Sequence, residues 1–466
     1  MLNHTASHQD NLNWIDHEFA TLALGDQRRH HRVKLLMTQL AQQPAASLPL
    51  ACGEAADLKA AYRLFDNEAV SAQALLQPHL QSTVQRMQQH SVVLAVQDTT
   101  ALNYAKHFCT EGLGPIVNRR SSRGYFLHTT FALSPGGVPL GCLAAHTFNR
   151  SEKKFGTRQP SRVRNHEPLA QKESQRWLES LRACEAVAAQ CPRTRIVNVA
   201  DREADIYELF AQALKHQQVQ LLIRVQHNRQ VAGEPQRLWP HLERQPEAGT
   251  LCVEVPRRGG QPARTARLSV RFCAVKVSAP CLKEGQPALA LWAIEARELH
   301  PPRGARAILW RLLTTLPVAV AAQAMEYIGW YARRWQIEVL HKVLKSGCNV
   351  EGRQLQTRER LDRALMLALV VAWRVMHLTQ TAREQPRQPA TVEFSELEIK
   401  VLCCRFSSAC ASELTLEKAV HWIARLGGFL GRKSDGHPGP ITLWRGLRRL
   451  NDLTEALALL QNVGNV

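Results

Sequence analysis

Hydrophobic and polar positions change their period several times along the chain. In the first seventy or so residues the apolar positions recur at helical spacing, as at Leu58, Ala61, Tyr62 and Phe65. The stretch "LGDQRRHHRVKLLMTQLAQQ" sets Arg28, Arg29, His30, His31, Arg32 and Lys34 ahead of a second helical run. From residue 92 the pattern becomes one of short apolar runs bounded by turn residues. "SVVLAVQD", ending in Asp98, "RGYFLHTTFAL" (Arg123 to Leu133) and "VPLGCLAAHTF" (Val138 to Phe148) read as three strands of an antiparallel meander, the last two joined by "SPGG". A basic loop, "NRSEKKFGTRQPSRVRNHEP", precedes an amphipathic helix, "ESQRWLESLRACEAVAAQ". "RTRIVNVA" is a strand with Asp201 just past its end. With the helix "EADIYELFAQALKH" and the strand "VQLLIRV" it predicts a parallel pair and a right-handed crossover. Residues from about 230 to 305 are rich in Pro, Gly and alternating strands and read as a β-rich insertion. "RAILWRLLTT" returns to the main sheet, and long helices are expected over Gln323 to Ser346 and about Arg358 to Thr381. "REQPRQPATVEFS" is a linker, and the remainder is helical apart from the turn-rich "GRKSDGHPGP". The fold class is α/β, with helical N-terminal and C-terminal domains around a mixed sheet. The divisions fall at residues 1–72, 73–381 and 382–466.

Composition adds a partner to this picture. The chain has 466 residues, enough for two to four domains and a real core, and is 45% hydrophobic and 21% charged. Its formal charge is +19, an excess of base that points to a polyanion, most simply nucleic acid and alternatively an acidic membrane surface. The apolar run "ALMLALVVAW" is too short to span a bilayer, so no membrane residence is expected. The opening residues hold no apolar run of the kind a signal peptide needs, and the twelve cysteines form neither a C-x-x-C pair nor a disulfide pattern. A cytoplasmic location with reduced thiols follows as the expectation.

Three acids are candidates for chemistry. Asp98 and Asp201 each follow an apolar strand, where a carboxylate is tolerated only near the strand end or with compensation. Each also has a plain structural use: Asp98 can cap a turn, and Asp201 can cap the helix after it. The third acid is in "YARRWQIEVLHKVLKSGCNVEGRQL". At 100° per residue, Tyr331, Arg334, Glu338, Lys342 and Lys345 fall within an arc of roughly 80°, with Ile337, Leu340 and Leu344 opposite. Glu338 could merely form i,i+4 pairs with Arg334 and Lys342, each contributing about 0.2–0.5 kcal/mol. Convergence of all three acids would instead create an oxygen-ligand site for Mg²⁺ or Mn²⁺, with bases beside it for phosphates.

The spacing Y-x-x-R-x-x-x-E-x-x-x-x-x-x-K, filled here by Tyr331, Arg334, Glu338 and Lys345, resembles the signature of bacterial DDE transposases of the insertion-sequence-four family. "DTT" at Asp98, "DREADIY" at Asp201, "RGYFLH" at Arg123 to His128, "LGDQRR" near the N-terminus and "IARLGGF" (Ile423 to Phe429) extend the likeness in order over nearly the whole chain. The resemblance implies a ribonuclease H-like core interrupted by a β-rich insertion. It implies Asp98, Asp201 and Glu338 as the metal-binding triad, with two Mg²⁺ ions that Mn²⁺ can replace. It further implies phosphate contacts from Tyr331, Arg334 and Lys345, with Lys342 in the same stripe, and a tryptophan at Trp310 that stacks on a flipped base; from the residues alone Trp310 reads equally as a core aromatic on its strand. Arg224, Arg28, Arg29 and Arg32 are further candidates for DNA contact. The expected activity is cut-and-paste transposition: strand cleavage at terminal inverted repeats, hairpin formation and opening, and strand transfer into target DNA. The expected partners are double-stranded DNA and a second copy of the chain, joined through its C-terminal helices. No G-x-x-x-x-G-K-[ST] loop is present, so no nucleotide cofactor is called for. The rival readings are a nuclease or resolvase of the same fold, a non-enzymatic DNA-binding regulator, and a glycosidase with paired carboxylates; the last fits poorly with the basic charge.

Overall fold

The computed structural model describes residues 13–117, 122–150, 172–255, 263–281, 285–406, 414–432 and 435–463. The N-terminal helical pattern resolves into α1 (Asn13–Glu18), α2 (Gln27–Gln42), α3 (Leu48–Cys52), α4 (Ala55–Asp66) and α5 (Ala72–Met87). Their starts are set by side chains that take up orphan backbone donors: Asp26 accepts from the Arg28 N–H and Ser71 from the Ala74 N–H. Beneath α1 lies a buried charge network. Glu18 receives both terminal nitrogens of Arg86 at 2.8 and 2.9 Å and also meets His79 Nδ1. His79 Nε2 accepts the Cys142 N–H, which requires a free lone pair there, so His79 is neutral and donates from Nδ1. Burial lowers the His79 pKa in agreement with that assignment. Burial also works against the Glu18 charge, but the hydrogen bond from His79 and the charge and hydrogen bonds of Arg86 hold its carboxyl below the ordinary value. Because His79 is neutral, Arg86 is the partner that matters.

The central apolar runs pair into one ten-stranded sheet. β1 (Val92–Asn103), β3 (Arg123–Leu133) and β4 (Pro139–Phe148) form the antiparallel meander, and the short β2 (Gly114–Pro115) also lies against β3. After α6 (Gln175–Ala188), β5 (Arg195–Ala200) pairs in parallel with the other side of β1. α7 (Tyr207–His216) then leads to β6 (Val219–Arg224), parallel to β5, as the strand–helix–strand reading required. α8 (Leu238–Glu243) opens the next segment, whose strands are β7 (Gly249–Val255), β8 (Arg264–Val277) and β9 (Leu289–Glu298). They are antiparallel neighbours and continue the same ladder, because β10 (Leu309–Thr314) bridges β9 to β6. Most of the expected basic loop, residues 151–168, lies outside the described residues.

Strand alternation divides the core between the two sheet faces. Leu94, Val96, Val197 and Val199 belong to one core, and Val93, Ala95, Ile196 and Ala200 to the other. The first face is covered by α9 (Ala321–Arg333), α10 (Gln336–Lys342) and α11 (Arg358–Glu384). The second is covered by α6 and α7, which contribute Trp177, Leu181 and Phe210. The apolar run Ala364 to Trp373 is in α11 and is buried on all sides by protein, with Trp373 Nε1 donating to the Pro139 carbonyl at 3.1 Å. Among the described residues no helix is long and apolar enough to cross a membrane.

Two expectations need correction. The helix over Gln323 to Ser346 is not continuous. Arg334 N–H bonds to the Tyr331 carbonyl, and Ile337 and Glu338 N–H to those of Arg334 and Trp335, so the chain tightens into an i,i+3 turn between α9 and α10. After α10 it widens into a π segment, Val343–Gly347. Both changes shift the angular phase, so a stripe drawn at a constant 100° does not hold across residues 331 to 345. The other correction is to Asp98, which is inside β1 rather than at its end, opposite Thr129 of β3. The parallel partner β5 stops earlier, with the last pair Val96 and Val199, and this opens the sheet beside Asp98.

The C-terminal region contains α12 (Glu396–Arg405), α13 (Leu416–Leu426) and α14 (Pro440–Val463). α13 and α14 pack in backbone contact at Gly427 and Gly446. A Cβ on Gly427 would lie 1.9 Å from the Thr442 carbonyl oxygen, and one on Gly446 1.7 Å from that of Ile423. Gly427 of "IARLGGF" and Gly446 of "WRGLRRL" are therefore steric requirements of this packing.

Candidate active site

The sheet register brings the two aspartates together. Val96 and Val199 are paired, so two residues further along the same face come Asp98 on β1 and Asp201 after β5. Asp201 also makes the capping bond anticipated for it, accepting the Glu203 N–H at 2.9 Å in the short turn Arg202–Ala204. Glu338 projects from α10 over this face because its helix neighbours Ile337 and Leu340 are fully buried in the core below. Its side chain is 43% exposed.

Arg334 links the acids. At the α9–α10 break its Nη1 lies 3.4 Å from Asp98 Oδ2 and its Nη2 2.8 Å from Glu338 Oε1. Burial opposes the Arg334 charge, but Tyr331, Asp98, Glu338 and Asp201 together hold its pKa above the ordinary guanidinium value. For Asp98 the balance runs the other way. Burial pushes its carboxyl up to about 6, against the pull of Arg334 and the Thr99 N–H, and the charges of Asp201 and Glu338 add to the push. Among the described residues, only Glu417, His421 and His437 form a set of three such donors mutually within 4.8 Å, so the three acids stand wider than that. An all-oxygen donor set whose negative charge is this poorly compensated suits a hard divalent cation.

The other candidates fall into three groups. Tyr331 is buried, and its ring packs edge-on against Trp310 at 5.2 Å. Burial raises the pKa of its phenol, while Arg334 and its hydrogen-bonded neighbour Arg224 lower it. Arg224, at the end of β6, also donates to the Leu309 carbonyl at 3.2 Å, so Trp310, Tyr331 and Arg224 form one flank of the acids. Lys345 reaches β1 three residues beyond Asp98, donating to the Ala101 carbonyl at 2.5 Å and lying 3.8 Å from Glu351. Lys342 stands exposed on α10, and the ion partner of Glu338 is Arg334. Arg28, Arg29 and Arg32 form a separate group at the start of α2, where Arg28 is exposed and Arg29 is partly occupied by the Leu24 carbonyl at 3.1 Å.

Sequence reasoning missed a supporting layer on the opposite face. Arg176 of α6 donates to Thr99 Oγ1 at 2.9 Å and to Glu203 at 2.7 Å, tying together the residues that flank Asp98 and Asp201. The Thr99 hydroxyl shares a hydrogen bond with His128 Nδ1 at 2.8 Å, and burial holds the His128 ring neutral. The "RGYFLH" motif contained His128, but nothing in the local sequence marked Arg176.

Three family models match the chain. A transposase DNA-binding model matches residues 11–70, a transposase DDE domain residues 163–374, and a transposase Tn5 dimerisation domain residues 370–461. The DDE match includes Asp201 and Glu338 and begins beyond Asp98. Among solved structures, a piggyBac transposase in a synaptic complex with hairpin DNA, seen by cryo-EM, shows 10% identity and a TM-score of 0.37 over 79% of this chain and 72% of that one. At that score the likeness carries no weight. A DDE domain folds as a ribonuclease H-like unit and generally uses divalent metal ions, which places this chain among metal-dependent DNA endonucleases and strand transferases. The chain is a DDE transposase, with Tn5-type DNA-binding, DDE and dimerisation domains.

Proposed function

We propose that the chain is a cut-and-paste transposase of the insertion-sequence-four type, in which Asp98, Asp201 and Glu338 hold the catalytic cations. The observation behind this reading is the register of Val96 and Val199, which aligns the two aspartates on the face that α10 covers. Bound there, two Mg²⁺ ions, or Mn²⁺ in their place, would activate an attacking oxygen and stabilise the departing one. The protein's own task is to hold the phosphodiester in line. Arg334 is placed to transfer guanidinium donors from carboxylate to phosphate, and Lys345 and Lys342 supply further positive charge along the strand. Tyr331 and Arg224 form the flank on which Trp310 would stack a base lifted from the duplex, offsetting an unstacking cost of a few kcal/mol.

Each chemical step is a displacement at phosphorus. Water cleaves one strand at a transposon end, and the freed 3′-hydroxyl attacks the opposite strand to form a hairpin. A second water opens the hairpin, and the same 3′-hydroxyl is joined to target DNA. Residues 1–72, with Arg28, Arg29 and Arg32, would recognise the terminal inverted repeat; residues 73–381 would carry out the chemistry, and residues 382–466 would pair two copies so that both ends are held together. The enzyme would work in the cytoplasm on chromosomal DNA. The test is Glu338→Gln, which should bind transposon ends as the wild type does in a mobility-shift assay and lose Mg²⁺-dependent cleavage. Full cleavage by the variant would remove Glu338 from the mechanism.

A further inference from the structure

A second cluster of donors stands apart from the acids. Glu417 and His421 are four residues apart on α13 and so share one face. His437 comes from the loop between α13 and α14, and single donor atoms of these three residues all lie within 4.8 Å of one another. The His421 and His437 rings are 6.3 Å apart at 75°, an edge-to-face arrangement.

The loop is held so as to present His437. Immediately after it, Pro438 is buried and its carbonyl accepts from Arg383 of α11 at 2.8 Å. Immediately before it, Gly436 adopts a φ of +63°, and Asp435 closes a turn by accepting the Arg432 N–H at 2.9 Å. His421 is steadied by Phe429, whose ring is edge-on at 5.6 Å.

We propose that Glu417, His421 and His437 form a site for a first-row transition cation of the zinc class. Two imidazoles and a carboxylate suit Zn²⁺, and the fourth position faces solvent. Mg²⁺ would take few of these ligands, because it prefers oxygen donors in an octahedron. Small rotations of the exposed His437 would bring the donors to bonding distance, about 2.0–2.1 Å from the metal for nitrogen. The bound cation would clip the α13–α14 loop to α13 and fix where α14 begins. This site is independent of the catalytic reading: it needs neither DNA nor the three acids.

The test uses untagged full-length protein stripped of metal and held in millimolar Mg²⁺. Titration with Zn²⁺ should show one tight equivalent, and Co²⁺ should give the visible absorption of a tetrahedral or five-coordinate nitrogen–oxygen site. Affinity should fall at least about tenfold in His421→Ala and in His437→Ala, because each removes one of three protein ligands. It should be unchanged in Glu338→Gln. Because the chain has twelve cysteines, uptake that survives both histidine changes would place the metal on thiols and overturn the proposal, as would no uptake at all. His437 is an exposed loop residue, so His437→Ala should leave the fold intact and keep the test decisive even if His421→Ala misfolds.

Discussion

Replacing Asp98 with asparagine should make the metal-free protein more stable while abolishing cleavage. The Asp98 carboxyl is shifted from 3.8 to about 6, with burial the first cause and Asp201 and Glu338 adding to it. At about 1.4 kcal/mol per pH unit, keeping this group ionised costs the fold about 3 kcal/mol. The sign follows from proton linkage. The folded protein holds the proton more tightly than the unfolded chain, so the cost is absent below about pH 4, grows between there and about pH 6, and is complete above. A side-chain amide at this position would carry no charge at any pH, and the variant should therefore gain roughly 1–3 kcal/mol over the wild type at pH 8 and almost nothing at pH 4. Arg334 loses one of two partners in the variant but keeps Glu338, which limits the offset. Urea denaturation in EDTA at both pH values measures the difference. Millimolar Mg²⁺ should then narrow the gap at pH 8 by stabilising the wild type alone. A variant less stable than wild type by the same amount at both pH values would refute the electrostatic account and make Asp98 a packing residue.

Two further outcomes follow from the packing. Glu18→Gln should cost about 3 kcal/mol at pH 7, because it leaves the Arg86 guanidinium without its bidentate partner in a largely buried site. Since the Glu18 carboxyl is held below its ordinary value, its stabilisation is complete above about pH 4.5 and is lost as the pH falls through the folded value; the gap between variant and wild-type denaturation midpoints should therefore be smaller at pH 3 than at pH 7. Gly446→Ala should lower stability by about 1–3 kcal/mol or more, because its methyl would enter the Ile423 carbonyl, and thermal melting against Gly439→Ala, where the added carbon meets nothing, is the control.

Much of the sheet was legible because short apolar runs and turn residues are local signals. The meander, the β5–α7–β6 unit and the return of β10 to β6 all came from such runs. The position of Asp98 was read less well. Its strand continues to Asn103 because β3 accompanies it, and that partner is chosen by tertiary pairing. The signature around Glu338 singled out that acid but not its setting. A constant helical period placed Tyr331 with the polar groups, whereas the break at Arg334 lets Tyr331 turn inward against Trp310. Arg176 could not be found from spacing, since its contact with Thr99 spans 77 residues. The glycine in "IARLGGF" was visible as a motif, but its reason needs Gly446 on the next helix.

The indole of Trp310 is carried on a rail rather than a tether. Trp310 itself pairs with Ala296 of β9, and two residues on Leu312 pairs with Arg224 of β6, so the strand that carries the ring is held by backbone ladders. An aromatic on a loop could wander by several ångströms; this one cannot, so in the stacking role proposed for it the nucleic acid must do the travelling. On that proposal a stiff template would impose the distortion on the duplex, and sequences that unstack easily there should be cut faster even where the protein touches no base edge.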